Sequence, residues 1–110
     1  MPTPHKPSSA VRQALRKLGA DIQEARQRRR LTMAIVAERA FTSRASLQRV
    51  EAGDSGVSIG IYAAVLQALG LLDGIKQLAD PAQDEVGQSL SSAELPKRVR
   101  MRRSGMERPK

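Results

Sequence analysis

The stretch LTMAIVAERAFTSRASLQRVE, from Leu31 to Glu51, decides the fold. Thr32 is suited to cap a helix, because its side-chain oxygen can accept a hydrogen bond from an otherwise orphaned N–H two or three residues on. Ile35, Val36, Ala37 and Ala40 then supply an apolar stripe at helical spacing, with Glu38 and Arg39 on the wetter side. Ser43 repeats the capping chemistry. From it Leu47 and Val50 make a second, narrower stripe that ends at Glu51 and the Ala52-Gly53 stop. Only Phe41 and Thr42 lie between the two helices. Helices joined so closely must cross steeply, which leaves the second exposed along one side.

That side carries Arg44, Ala45, Ser46, Gln48 and Arg49. These residue types suit the major groove of DNA: Arg can donate two hydrogen bonds to guanine, Gln can pair with adenine and Ala can touch the thymine methyl. Arg44, Ala45, Gln48 and Arg49 are the expected base readers, with Ser43 and Ser46 assisting at a base or a phosphate. The alternative is the ordinary solvated face of an amphipathic helix.

Outward from this motif the pattern stays helical. Val11, Leu15, Leu18, Ile22 and Ala25 recur every three or four residues, predicting a helix from Ser8 or Ser9 to about Arg29. Gly19 falls inside it, at a cost to helix stability of ~1 kcal/mol or as a break into two pieces. On the other side Ser58 caps a helix whose buried stripe is Ile61, Tyr62, Val65, Leu66 and Leu69, and Gly70 ends it. A fifth helix is expected after Leu71-Leu72, with Asp73 as cap and Ile75, Leu78 and Ala79 inward, until Asp80-Pro81 stops it. The reading is therefore an all-α, five-helix domain over residues 9–80, a disordered polar arm over 1–8, and a polar, then basic, disordered tail over 81–110.

The motif resembles the helix-turn-helix of the Cro/C1 repressor family, also called the Xre family. The matching residues are Leu18-Gly19, Arg26, Leu31-Thr32, Ala37-Glu38, Ser43-Arg44, Leu47, Arg49, Glu51-Ala52-Gly53 and Leu69-Gly70. The resemblance implies a lambda-repressor-like DNA-binding fold and a structural pair between Arg26 and Glu51 that ties the first helix to the reading helix; an ordinary surface charge is the alternative for Arg26. It departs at the turn, where the family usually has Gly and this chain has Phe41; Gly relieves strain at positive φ, so Phe41 implies a strained or shifted turn and an aromatic available to pack beside the helices. It departs again at Met33, where the family often places a phosphate-touching Gln. Arg28, Arg29 and Arg30 would lie near the start of the second helix, where Thr32 and the backbone N–H groups face a phosphate. A solvated charge run is the alternative for the three arginines. Ser55 and the Gly56 N–H are placed by the resemblance in a loop beside the DNA backbone, although Asp54 would repel a phosphate.

A narrower similarity runs from Glu51 to Asp80. Gly53-Asp54, Val57-Ser58, Gly60 to Tyr62, Val65-Leu66 and Leu69-Gly70 are similar to HipB-type antitoxins, the DNA-binding partners of HipA-type kinase toxins. It implies an alternative role in which the chain neutralises a HipA-like kinase toxin and binds DNA for autoregulation.

Composition sets the rest. A formal charge of +8 points to a polyanionic partner. Its distribution is uneven: residues 1–30 carry a net +6, residues 31–92 a net −3, and residues 93–110 a net +5. Specificity is thus assigned to a few arginines on an acidic middle, and bulk attraction to the ends, whose tail would add sequence-independent phosphate contacts. A folded part of about 70 residues has a small core, and small chains gain stability by association. Symmetric dimers also suit palindromic operators, so a homodimer on double-stranded DNA is expected, with Leu71, Leu72, Ile75 and Leu78 as interface candidates or ordinary core. The absence of cysteine, of an apolar run near 20 residues and of a secretion signal fits a cytoplasmic protein with no membrane partner.

Catalysis is not expected. His5 is the single histidine and lies in the arm, no phosphate-cradling glycine motif occurs, and Ser43 or Ser46 would lack a base. No cofactor or metal is implied.

Overall fold

The computed structural model describes residues 6–94. Six α-helices follow one another: α1 (Ser9–Arg28), α2 (Met33–Arg39), α3 (Arg44–Glu51), α4 (Ile59–Ala68), α5 (Asp73–Lys76) and α6 (Glu85–Glu94), with a short 3-10 helix at Pro81–Gln83 before the last. No strand occurs among the described residues. The first residues of the expected arm and the basic tail from 95 onward lie outside the described residues.

Local chemistry starts each of the first four helices. Ser8, Thr32, Ser43 and Ser58 all have extended backbones, and their hydroxyls accept from the N–H groups of Val11, Ile35, Ser46 and Ile61. Each satisfies one of the orphan donors of its helix start. The same four helices also end alike. After α2, the N–H of Phe41 donates to the Glu38 carbonyl at 3.1 Å and that of Thr42 to the Ala37 carbonyl at 2.9 Å, with Phe41 at φ 56°. This is the Schellman arrangement, in which a left-handed residue turns the chain so that the last carbonyls find donors. It recurs after α1 at Arg30 (φ 55°), after α3 at Gly53 (φ 73°) and after α4 at Gly70 (φ 79°).

The chain divides into two compact units after Ile75. In the first, α1 packs on α3, while α2 and α4 pack on each other and on α3. Their shared core is Ile22, Ala25, Val36, Ala37, Ala40, Leu47, Val50, Val57, Tyr62, Val65, Leu66 and Leu69. Leu47 and Val50 have no exposed surface, so the inward stripe of α3 is fully spent on the core. Burying such side chains contributes ~1.5–3 kcal/mol each, which anchors α3 from one face only.

Gly19 does not break α1, which runs unbroken for 20 residues. A Cβ at Gly19 would sit 2.6 Å from the carbonyl oxygens of Val50 and Glu51 and from the Gly53 nitrogen. The glycine is there so that the end of α3 can lie against α1. Helix propensity is sacrificed for close backbone approach.

Several expectations require correction. Ile35 is 38% exposed, because α2 is short and its buried arc is taken by Val36, Ala37 and Ala40. The Phe41 ring does not pack beside the helices among the described residues: it is 96% exposed, and the turn keeps its position with Phe41 itself at positive φ. The fifth helix stops at Lys76, so Leu78 is 74% exposed and Ala79 exposed rather than inward. In the second unit Asp80-Pro81 starts a turn as well as stopping one. The Asp80 carboxylate accepts from the Ala82 N–H, and Pro81 occupies the first turn of the 3-10 helix, where its missing N–H costs nothing. Asp84 accepts from the Gly87 N–H at 2.9 Å and opens α6, within a segment whose polarity suggests a disordered tail.

Candidate nucleic-acid interface

The outward side of α3 is set by what its other side does. With Leu47 and Val50 turned into the core, Arg44, Ala45, Gln48 and Arg49 are exposed. Ser43 caps the helix and also donates its hydroxyl to the Ser46 hydroxyl at 3.1 Å, which leaves Ser46 partly buried. Both serines therefore have work within the helix start.

The helix is held at its far end by a largely buried ion pair. Arg26 of α1 donates from Nε to Glu51 Oε2 at 2.7 Å and from Nη2 to Glu51 Oε1 at 3.1 Å, and its Nη1 donates to the Leu31 carbonyl at 3.1 Å. The two side chains are 11% and 6% exposed. One arginine thus joins the end of α3, the end of α1 and the approach to α2. The two-pronged geometry fixes direction as well as distance. The Glu51 hydrogen bonds raise the Arg26 pKa above its ordinary value, so the guanidinium keeps its charge. A pair this buried is costly to break from one side, at about 3–5 kcal/mol.

Arg44 and Arg49 differ in their surroundings. Among the described residues the Arg44 side chain makes no hydrogen bond or ion pair. Arg49 donates from Nε to Asp54 Oδ2 at 2.9 Å, across the turn at Gly53. The other Asp54 oxygen, Oδ1, accepts the Gly56 N–H at 2.7 Å. The Arg49 hydrogen bond, and then that from Gly56, hold the Asp54 carboxyl below the usual carboxylate range. The backbone of Asp54 is engaged as well: its N–H donates to the Arg49 carbonyl at 3.0 Å, and its carbonyl accepts the hydroxyl of the buried Tyr62 at 2.8 Å. Burial pushes the Tyr62 hydroxyl pKa up. This network is not visible as a sequence motif. Arg49 and Asp54 are five apart, outside the helical pairings at three and four, and meet only because the left-handed turn at Gly53 folds the chain back.

The other candidate residues are dispersed in role. Thr32 caps α2. Arg28 pairs with Glu24 at 3.0 Å on the exposed side of α1, and Arg29 donates to the Ala25 carbonyl at 2.9 Å, so two of the three clustered arginines have local partners. Arg30 is exposed at the left-handed turn. Ser55 is exposed, but the Gly56 N–H is taken by Asp54 and is not available to a phosphate. Ile75 packs against the core, Leu72 is partly buried, and Leu71 is exposed. No cluster of metal-ligating side chains occurs among the described residues, and none of their helices is long and apolar enough to cross a membrane.

Two short helices at a tight turn, the second bare on one side, define a helix-turn-helix. A family model described as a helix-turn-helix domain matches residues 17–76, and the chain belongs to that family of DNA-binding domains. Comparison with curated proteins and with solved structures finds no match.

Proposed function

We propose that the chain is a sequence-specific regulator of transcription, a repressor that binds an inverted repeat in double-stranded DNA as a homodimer and reads bases with Arg44, Ala45, Gln48 and Arg49. The observation that carries this reading is the two-sided α3: its apolar stripe has no exposed surface, while its opposite side presents donors and a methyl group without a protein cover. On this reading Ser43, Ser46, Thr32, Ser55 and Arg28 to Arg30 serve as supporting or backbone contacts. The homodimer is argued from the small core and from the symmetry of operators. Leu71 and Leu78 remain as exposed interface candidates.

Selection of bound duplexes from a random pool tests the reading. Recovery of an inverted repeat is the expected result. Arg44→Ala should then weaken binding to the selected duplex by about 1–3 kcal/mol and leave random duplexes nearly unaffected. Equal losses on both would remove Arg44 from the base readers. If no sequence is enriched, the weight passes to the antitoxin role, for which co-purification with a HipA-like kinase is the measurement.

A further inference from the structure

Asp54 is an unexpected residue beside a DNA-reading helix. Its carboxylate lies next to the surface that would face phosphates, where a negative charge opposes binding. Yet every hydrogen-bonding group it has is engaged. The N–H is tied to the Arg49 carbonyl, the C=O to the Tyr62 hydroxyl, one carboxylate oxygen to the Gly56 N–H and the other to Arg49 Nε. Tyr62 is itself part of the core. A continuous set of contacts therefore runs from the core, through Asp54, to the guanidinium of Arg49.

The chemistry of that last link is selective. A guanidinium has five N–H donors in a plane. Asp54 takes the Nε–H, and the two amino groups remain for another acceptor. Guanine offers two acceptors, O6 and N7, side by side in the major groove, which matches a pair of amino donors. An arginine without such a restraint also swings to phosphate oxygens, which carry no sequence information.

We propose that Asp54 is a positioning residue that aims Arg49 at one guanine per half-site and holds it away from the phosphates, so that Asp54 sets sequence specificity without touching DNA. This rests on the base-reading role of α3 argued above. Its signature is a separation of two quantities: discrimination falls when Asp54 loses its charge, while affinity for arbitrary DNA rises.

The test uses the full chain in five forms, unaltered, Asp54→Asn, Arg49→Ala, Arg44→Ala and Tyr62→Phe, each carried through selection from a random duplex pool and titrated on the selected and on a random duplex. Arg49→Ala should relax one base position, identified as a guanine. Asp54→Asn should relax the same position by about tenfold and bind the random duplex more tightly than the unaltered chain. Tyr62→Phe removes only the hydroxyl and should relax that position to a smaller degree. Equal strengthening on both duplexes would reduce Asp54 to a repelling charge. Equal weakening on both would reduce it to a loop support, and either result overturns the proposal. If Arg44→Ala relaxes a position of its own while Asp54→Asn leaves that of Arg49 intact, the role of Asp54 fails and the base-reading role stands. If the unaltered chain enriches nothing, both fall.

Discussion

The chain leaves α2 through Phe41 and leaves α3 through Gly53, and the two exits share one hydrogen-bond pattern. Both residues have positive φ, 56° and 73°. What differs is the space where a side chain would go. At Phe41 it is open solvent, and the ring stands almost fully exposed. At Gly53 it is the backbone of α1: a Cβ would come to 2.5 Å from the Leu15 carbonyl oxygen and 2.7 Å from the Arg16 Cα. The comparison separates two reasons for glycine at a helix end. A left-handed φ alone costs an ordinary residue ~1–2 kcal/mol, which a fold can tolerate. A backbone in the way cannot be tolerated without moving a helix.

The sharpest way to break this distinction is Gly53→Ala. The substitution adds the left-handed strain to an overlap with α1 backbone, and we expect a loss of about 3 kcal/mol in urea unfolding. The damage should extend to function. Gly53 adjoins Glu51, and α3 is seated on α1 there by Gly19 and by the Arg26–Glu51 pair. On the proposed base-reading role, a displaced α3 end would misdirect Arg49. A cost near that of an exposed left-handed glycine would show that α1 can retreat, and that the close approach is not a constraint.

The same contrast explains how much was legible in the sequence. The caps at Thr32, Ser43 and Ser58 and the stripes at Leu47, Val50, Val65, Leu66 and Leu69 follow from local rules, since a cap needs only three residues and a stripe only a period. Those rules place the helix-turn-helix and its outward residues. They fail where the cause is another part of the chain. Gly19 looks like a weak point in a helix, because the α3 carbonyls that require it are some thirty residues away. Ile35 looks as buried as Val36, because five consecutive apolar residues, Met33 to Ala37, give no phase on a helix as short as α2. Leu78 looks inward because apolar spacing continues past Lys76, where the helix itself does not. The pairing of Arg49 with Asp54 depends on the direction of a turn, which spacing does not encode.

Gly70→Ala is a milder probe. Gly70 has φ 79°, yet a Cβ there would meet no atom within 4 Å. Only the backbone term is at stake, so the expected loss is about 1 kcal/mol. It should be clearly smaller than that of Gly53→Ala in the same urea series. Equal losses would mean that φ, and not the neighbouring backbone, decides both positions, and the difference between the two exits would disappear.

Phe41→Gly has the smallest expected effect and reverses its sign. Glycine removes the left-handed strain at a site where the ring contributes no packing, but it also gains freedom in the unfolded chain that folding must then remove. The two terms nearly offset, leaving a gain of about 0.5 kcal/mol. Phe41→Ala keeps the strain without the ring and should match the unaltered chain more closely than the glycine variant does. If both variants instead lose stability by a similar amount, the ring has a partner on the folded protein that solvent exposure does not reveal. If glycine alone gains, Phe41 is a residue the fold carries at a cost, set by the left-handed backbone and not by the ring.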